Sequence, residues 1–311
     1  MGAAEGKTVR ENSKISSPRI GSSLSTRIYQ ELVYGGSYMP SIDAAAITFV
    51  TCLILGFVPT WDLLLSLYLF TYGSYTLNRL VEWRSDKASN PVKSAISESR
   101  KRRAPFVVAI CYIGTFVIAY SANLYFFAGL LLPLLLSYLY NVGGKMVKKL
   151  VGAPRLKEKF LVKNLVVSMV WGSVPLFTLL YFKAPLSVAA VSLCIFIFLR
   201  TLVNTIFSDM KDVQSDSMLG IKTIPTSIGL TRTRSFLMML NTVSGVIVLS
   251  MVLLGLLSLT AIFIGLVTLY GFYYIRKSEA SNANLNYLAD FVAELEEPLE
   301  VPLIILGTLL L

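Results

Sequence analysis

Long apolar runs recur along the chain and are separated alternately by tight turns and by longer polar links. Each run is close to the ~20 residues that an α-helix needs to cross a hydrocarbon core of ~30 Å. The pattern therefore predicts an all-α, polytopic transmembrane helix bundle, with spans at about 43–61, 63–83, 105–121, 123–141, 161–182, 186–208, 235–256 and 258–275.

A ninth span is predicted at the C-terminus, where residues 302–311 are apolar. The segment before it is acidic, so this helix would have to turn its carboxylates toward protein or water. With this span the bundle contains eight to nine helices. The acidic residues concerned are Asp290, Glu294, Glu296, Glu297 and Glu300.

The N-terminal region differs from the rest of the chain. Residues 1–26 are rich in Ser, Lys, Arg and Gly, which predicts a disordered, solvated tail. Residues 27–40 could form a short interfacial helix, and the beginning of the chain lacks the pattern of a cleaved signal peptide. We therefore expect residues 1–40 to be tail and interfacial helix, and residues 41–311 to be the transmembrane domain.

The composition supports a membrane protein. The 311 residues are 55% hydrophobic and 15% charged, whereas a soluble domain carries about 25% charged residues. A net charge of +10 would also suit a nucleic-acid-binding protein, but the basic residues lie between apolar runs and form no separate domain. The predicted partner is therefore the lipid bilayer and not nucleic acid.

The residue types present also restrict the chemistry. The chain has no histidine, which excludes histidine metal ligands and Ser-His-Asp hydrolysis. Its three cysteines, Cys52, Cys111 and Cys194, lie inside apolar runs and fit no zinc or disulfide spacing. Catalytic groups must therefore be carboxylates, Lys, Arg, Tyr or a metal ion held by oxygen ligands.

The basic residues are distributed asymmetrically between the two sides of the predicted bundle. The tight turns between spans carry a single one, Lys183, whereas the links at 84–104, 142–160 and 209–234 are rich in Lys and Arg. Such links remain in the cytoplasm according to the positive-inside rule. We therefore predict a multi-pass protein of the cell membrane, with its N-terminus and long cap loops on the cytoplasmic side.

Two acidic clusters lie where even-numbered spans reach the predicted cytoplasmic side. The spacings are i, i+4, i+8 in the first cluster and i, i+3, i+7 in the second, so on a regular helix each set shares one face. The first acidic cluster is Asn78, Glu82 and Asp86, and the second is Asp209, Asp212 and Asp216.

Like charges on one helix face repel each other, and the cost is larger near a membrane than in water. A cation between the clusters would remove this cost, and oxygen ligands without His or Cys suit Mg²⁺. Two facing acidic helices would then hold a diphosphate through bridging Mg²⁺. The alternative interpretation is that each cluster is a solvated helix end paired with neighbouring Arg and Lys.

The second cluster continues as Gly220-Ile221-Lys222-Thr223-Ile224-Pro225. With this continuation it resembles the second motif of the UbiA superfamily of intramembrane prenyltransferases, D-x-x-D-x-x-x-D followed by G-x-K-T-x-P. The first cluster resembles that family's N-D-x-x-D-x-x-x-D motif, with Arg79 and Glu82 at the positions of its first two Asp residues. The likeness extends in order and spacing over about residues 40–275 and indicates an archaeal-like member with a degenerate first motif.

The resemblance implies a UbiA-like bundle that transfers an isoprenyl group from an isoprenyl diphosphate to a lipophilic acceptor, with Mg²⁺ and through an allyl cation formed inside the membrane. All six residues of the two clusters are implied metal ligands, and Asp209, Asp212 and Asp216 are also assigned to catalysis. Tyr75, Lys145 and Arg200 are weaker candidates for the same site. The substrate-binding candidates are Asn78, Arg155, Lys157, Lys163, Lys222, Tyr138 and Tyr140.

Three other functions are alternatives to prenyl transfer. A CDP-alcohol phosphotransferase would carry a D-G-x-x-A-R motif, which does not occur in the sequence. A transporter or channel often has ionisable residues near the membrane midplane, whereas these acids lie at predicted helix ends. An inactive family member that serves as a partner subunit is suggested by Arg79. The sequence leaves the acceptor, the donor chain length and the oligomeric state open.

Overall fold

The computed structural model describes residues 23–83, 90–152, 155–218 and 220–311, and within these ranges every regular element is helical. Short π-helical or 3₁₀ turns lie at Glu31–Gly35, Leu156–Glu158, Leu288–Val292 and Ala293–Leu295. The α-helices are α1 (Leu24–Gln30), α2 (Tyr38–Ile54), α3 (Trp61–Glu82), α4 (Pro91–Arg100), α5 (Ala104–Ala122), α6 (Leu124–Asn141), α7 (Lys145–Val151), α8 (Val162–Gly172), α9 (Val174–Phe182), α10 (Val188–Asp209), α11 (Val213–Met218), α12 (Ile224–Ile228), α13 (Leu230–Leu253), α14 (Ala261–Gly265), α15 (Val267–Lys277), α16 (Leu285–Tyr287) and α17 (Glu296–Leu310).

Five of these elements are long and apolar enough to cross a bilayer, namely α5, α6, the α8–α9 pair, α10 and α13. The segment Leu24–Gly35 and α2 form a pair bent by 69°, which adds a sixth span if the pair is counted as one. The predicted all-α, multi-pass membrane fold is therefore confirmed. Three other predicted spans, α3, α14–α15 and α17, pack in the same bundle, but α3 is rich in polar residues and the others are short.

Two predicted spans differ from the observed helices. The predicted helix 161–182 is two helices, because Pro175 lies just past the break at Ser173 and has no backbone N–H to continue the hydrogen bonds of α8. The predicted helix 43–61 begins earlier, at Tyr38, and ends at Ile54. It ends there because Gly56 adopts a left-handed conformation with φ of 79°.

The contact between α8 and α10 positions the second acidic cluster. At Gly172 the two backbones approach so closely that an added Cβ would lie 3.0 Å from both the Cys194 carbonyl oxygen and the Phe198 Cβ. Only glycine fits this contact without displacing α10. The close packing brings the first turn of α8 beside the last turn of α10, where the second cluster begins.

The C-terminal helix α17 is tied to the bundle by a buried polar network. Arg200 on α10 forms an ion pair with Glu296 and donates a hydrogen bond to Asn241 on α13. Tyr274 on α15 donates to the other carboxylate oxygen of Glu296 at 2.9 Å. This helix thus turns its acidic side chains toward protein, one of the two environments that its sequence allowed: Glu296, Glu297 and Glu300 are all buried.

Candidate active site

The first acidic cluster lies at the end of α3, in contact with the side chain of Lys157. The Lys157 ammonium group donates to Asn78 Oδ1 at 2.7 Å, pairs with Glu82 Oε1 at 2.8 Å and donates to Asn141 Oδ1 at 3.4 Å. The lysine side chain is only 7% exposed, and its Nζ lies 5.4 Å from the centre of the Tyr140 ring. Burial lowers the pKa of Lys157 more than the charge of Glu82 raises it. A positive charge is therefore held among oxygen atoms at the level of the first cluster.

The second acidic cluster begins with Asp209, the last residue of α10, whose exposure is 0%. Lys163 Nζ donates to Asp209 Oδ1 at 2.6 Å, and Asn164 Nδ2 donates to Asp209 Oδ2 at 2.9 Å. Both partners lie in the first turn of α8. Each carboxylate oxygen of Asp209 is thus satisfied, and Lys163 brings a second positive charge to the site.

The other two carboxylates of the second cluster follow on a turn. The helix α10 ends at Asp209 and α11 begins at Val213, so the predicted single helical face is wrong here. Backbone hydrogen bonds from Asp212 N to Asp209 O (3.2 Å) and from Asp216 N to Asp212 O (2.8 Å) nevertheless keep the three residues adjacent. Burial raises the pKa of Asp212 despite the nearby charge of Lys211, and burial raises the pKa of Asp216 to about 6. At both carboxylates the cost of burial therefore exceeds the stabilisation that the nearby lysines provide.

The donor groups of the two clusters suit a magnesium ion, because they are carboxylate and amide oxygens without a soft ligand. In the part of the chain that the structure describes, no three acidic side chains are arranged to hold a metal ion by themselves. Mg²⁺ needs only one or two protein carboxylates when substrate phosphates and water supply its other ligands. The half-buried Asp212 and Asp216 fit this requirement. Asp86, another predicted ligand, lies outside the described residues.

A pocket with a volume of about 150 Å³ extends from the first cluster into the bundle. Asn78 and Leu67 both line it, and they are separated by about 16 Å along the axis of α3. Hydrogen-bonding groups line the end that adjoins Lys157, and the remaining walls are largely apolar or aromatic. These walls include Phe70, Tyr75, Leu130, Val170, Trp171, Val174 and Phe177.

The sequence family follows from a comparison with family models. The model described as the UbiA prenyltransferase family matches residues 41–292. The chain belongs to the UbiA prenyltransferase family. The prediction of a membrane-embedded prenyltransferase is thereby confirmed at the level of the family. No curated protein sequence matches this UbiA family member.

Solved structures share the fold of this UbiA family member. A UbiA homolog from Archaeoglobus fulgidus bound to DMAPP and Mg²⁺ has a TM-score of 0.65 and 16% identity, over 91% of this chain and 99% of that chain. The same homolog bound to GPP and Mg²⁺ gives a TM-score of 0.58 and 16% identity, over 87% and 98% of the two chains. A digeranylgeranylglyceryl phosphate synthase gives 0.57 and 17%, over 92% and 99%. At these identities the likeness establishes the fold alone.

Within this UbiA-family fold, the remaining predicted residues occupy different positions. Tyr140 and Tyr75 line the pocket, whereas Tyr138 is 52% exposed on the outer side of α6. Arg155 directly precedes the turn that carries Lys157. Lys222 is exposed after α11, beside Ile221, whose backbone N–H donates to the Asp216 carbonyl oxygen. Lys145 is exposed at the start of α7, and Arg200 is buried against Glu296. The structure thus pairs Arg200 with Glu296 and Asn241 inside the bundle.

Two residues of the site were missed by the sequence analysis. Asn141 accepts a hydrogen bond from Lys157, and Asn164 donates one to Asp209, so each orients a charged candidate. Both are amides at the edge of apolar runs, where an unpaired amide would be costly to bury. That cost was a usable signal, although it does not reveal which distant partner satisfies the amide.

Proposed function

We propose that the protein transfers an isoprenyl group from an isoprenyl diphosphate to a lipophilic acceptor inside the membrane, and that Mg²⁺ is required. The observation that carries this proposal is the pocket, whose largely apolar interior leads to a polar end at Asn78 and Lys157. This shape suits a ligand with a hydrophobic chain and an anionic head. Family membership supports the proposal, as do the Mg²⁺, DMAPP and GPP bound by the Archaeoglobus fulgidus homolog.

Both clusters contribute to binding the diphosphate in this proposal. Lys157 and Lys163 contact phosphate oxygens, because charge-assisted hydrogen bonds to phosphate are among the strongest that a side chain makes. Arg155 and Lys222 add positive charge around the same group. When bound, Mg²⁺ neutralises part of the charge on the leaving diphosphate, and the residues that would hold it are Asn78, Glu82, Asp86, Asp209, Asp212 and Asp216.

The pocket walls serve the carbon chemistry. The allylic C–O bond breaks and its electron pair leaves with the diphosphate, so positive charge develops on the isoprenyl chain. The aromatic faces of Tyr75, Tyr140 and Trp171 attract that charge, and the apolar walls exclude the water that would otherwise capture it. A nucleophilic atom of the acceptor then bonds to the allylic carbon, and the acceptor releases its proton to solvent at the polar end.

Replacing Lys157 by Gln should weaken Mg²⁺-dependent binding of geranyl diphosphate roughly 10- to 100-fold, because a hydrogen bond to a charged group contributes about 1.5–3 kcal/mol. Binding of the labelled diphosphate to purified protein in detergent measures this effect. Lys277→Gln is the matched control, since Lys277 is an exposed lysine that donates to Tyr273 at the end of α15.

The same binding experiment is repeated with EDTA, which removes Mg²⁺. In EDTA the wild-type protein should lose the bound diphosphate, because the carboxylates then face the diphosphate without a cation between them. Equally tight binding in EDTA would favour the transporter. Metal-dependent binding without any product, when membranes are incubated with labelled donor and a lipid extract, would favour the inactive subunit. A product formed in that incubation would identify the acceptor.

The orientation and the division of the chain belong to the same proposal. The long basic links should lie in the cytoplasm, with residues 1–40 as tail and interfacial helix and residues 41–311 as the membrane domain. The match of the family model from residue 41 supports this division. Single cysteines placed at 93, 149 and 232, in a variant without the three native cysteines, should be labelled only from the cytoplasmic side of sealed vesicles. Labelling only from the opposite side would reverse the orientation.

A further inference from the structure

The π-helical turn Glu31–Gly35, which we call the N-terminal turn, is held against α3 by an arginine of the first motif. Arg79 follows Asn78 directly and donates to the carbonyl oxygens of Tyr34 and of Val33, the latter at 3.1 Å. A carboxylate at this position could not donate to either carbonyl. The arginine that replaces the family's first Asp is therefore bonded to the N-terminal turn in a way that an aspartate could not be.

A second arginine, which follows the first motif in the sequence, is bonded to the same turn. Arg100, the last residue of α4, donates to the Gly35 carbonyl oxygen and to both carboxylate oxygens of Glu31 at 2.7 Å. The carbonyl groups at the end of a helical turn are natural acceptors for such cations. The N-terminal turn is thus fixed both to α3, which carries Asn78 and Glu82 of the first cluster, and to α4, which follows that cluster in the sequence.

The turn is also connected, through Asp290, to Lys211, which lies in the sequence between Asp209 and Asp212 of the second cluster. The Tyr34 hydroxyl donates to Asp290 Oδ2 at 3.1 Å, and Lys211 pairs with Asp290 Oδ1. Lys211 lies in the turn between Asp209 and Asp212, and its side chain is 17% exposed while that of Asp290 is 12% exposed. Bonds in such an enclosed setting are weakly screened by solvent. Arg79, Tyr34, Asp290 and Lys211, which we call the relay, thus join the two motifs.

The relay supplies a hydrogen-bonded connection that differs from the contacts of the phosphate-site lysines. Lys157 is bonded to residues of the first cluster and to α6, and Lys163 is bonded to the second cluster. Each lysine therefore orients one cluster, whereas the relay connects the helix of one cluster to the turn of the other. Ligands that share a cation must be held at a fixed separation, and the groups that orient them affect metal affinity about 10- to 100-fold.

We propose that Arg79, Tyr34, Asp290 and Lys211 are positioning residues that set the separation of the two acidic clusters through the N-terminal turn. This inference rests on the proposed function, because its main readout is the Mg²⁺ dependence of prenyl transfer. None of the four relay residues lines the pocket that leads from Asn78 into the bundle. The relay makes the N-terminal turn part of the catalytic apparatus and explains why an arginine follows Asn78.

Tyr34→Phe removes one hydroxyl and no charge, and it should raise the Mg²⁺ concentration for half-maximal transfer about 10-fold, with a smaller change in the maximal rate. Lys211→Gln should act in the same direction. The direction of this change distinguishes positioning from simple electrostatics. Loss of a positive charge beside Asp212 would by electrostatics alone strengthen cation binding and lower the Mg²⁺ requirement. In the double variant the Mg²⁺ concentration for half-maximal transfer should rise by less than the product of the two single-variant factors, because both changes act through Asp290.

The controls separate positioning from general damage. Tyr273→Phe removes a tyrosine hydroxyl that is also bonded to a lysine, Lys277, but at the end of α15 away from the relay, and it should leave the Mg²⁺ dependence unchanged. Amide hydrogen exchange of the peptide 209–218 gives a readout without activity. Exchange of this peptide should become faster in Tyr34→Phe and in Lys211→Gln, and should be unchanged in Tyr273→Phe.

The outcomes of the two readouts distinguish this inference from the proposed function. Relay variants with wild-type Mg²⁺ dependence and wild-type exchange would refute the relay while leaving prenyl transfer intact. A fall in maximal rate at an unchanged Mg²⁺ requirement would also refute it, since it would indicate a purely structural role. If the wild-type protein formed no product, the proposed function would fail, and the exchange rates would still decide whether the relay holds the 209–218 segment.

Discussion

Asp212→Asn and Asp216→Asn should each reduce the initial rate of prenyl transfer by roughly 100- to 1,000-fold at a fixed Mg²⁺ concentration, as removal of an electrostatic group at a reacting centre does. Both side chains are half-buried, and burial raises the pKa of each because nearby positive charge does not fully compensate for the loss of water. A cation bound at the proposed site would supply that compensation. The substitution removes the charge while it barely changes the volume of the side chain, so folding should survive.

The rate is measured with a labelled isoprenyl diphosphate over a range of Mg²⁺ concentrations, on variants whose thermal unfolding matches that of the wild type. Asp62→Asn is the matched control, because Asp62 is an exposed acid in the first turn of α3, at the opposite end from the first cluster. Near-wild-type rates and Mg²⁺ dependence in both Asp212→Asn and Asp216→Asn would mean that the magnesium site is wrongly placed.

The helices of this protein were largely predictable because apolar runs of membrane length are a strong local signal. The break at Ser173 was in principle readable from Pro175, since proline ends the hydrogen-bond pattern of the preceding helix. The end of α10 at Asp209 was not readable, because no proline or glycine follows it before Gly220. There the tertiary contacts of Asp209 with Lys163 and Asn164 accompany the end of the helix.

The candidate site was predictable only where its residues are close in sequence. Spacing identified the two clusters, but it could not pair Lys157 with Asn78 or Lys211 with Asp290, since each pair is separated by 79 residues. Helical periodicity gives the face on which a side chain lies and not the helix that this face meets. In a bundle that is apolar on nearly all sides, the hydrophobic pattern also fails to distinguish lipid-facing from protein-facing positions.

Arg200 is a candidate residue whose distant partner could not be predicted from the sequence. From the sequence it was a weaker candidate for the phosphate site, and the structure shows that its partner is Glu296, 96 residues later in the sequence. The acids before the C-terminal span indicated that this helix turns its carboxylates toward protein or water, because an unpaired carboxylate in the bundle would be costly. The sequence offered several cations on the other helices and no means to choose among them.

Arg200→Met and Glu296→Met should each lower the free energy of unfolding by about 3–5 kcal/mol, because each leaves the opposite charge buried without its partner. The two side chains are 3% and 1% exposed, so water cannot replace the lost contact. The double variant Arg200→Met/Glu296→Met should be closer to the wild type than either single variant, since it removes both charges together and fills the space with apolar atoms. Denaturant unfolding in detergent micelles, followed by tryptophan fluorescence, measures the three differences.

The exposed pair of Lys101 and Glu98, 3.7 Å apart, provides the comparison. Lys101→Met should change the free energy of unfolding by less than about 1 kcal/mol, because solvent screens an exposed ion pair. If Arg200→Met were equally mild, the charge of Glu296 would have to be neutralised by a proton in the folded bundle. If the double variant instead showed the sum of the two single losses, the pair would contribute through packing with Asn241 and Tyr274 and not through its charges, because independent effects add whereas a shared ion pair does not.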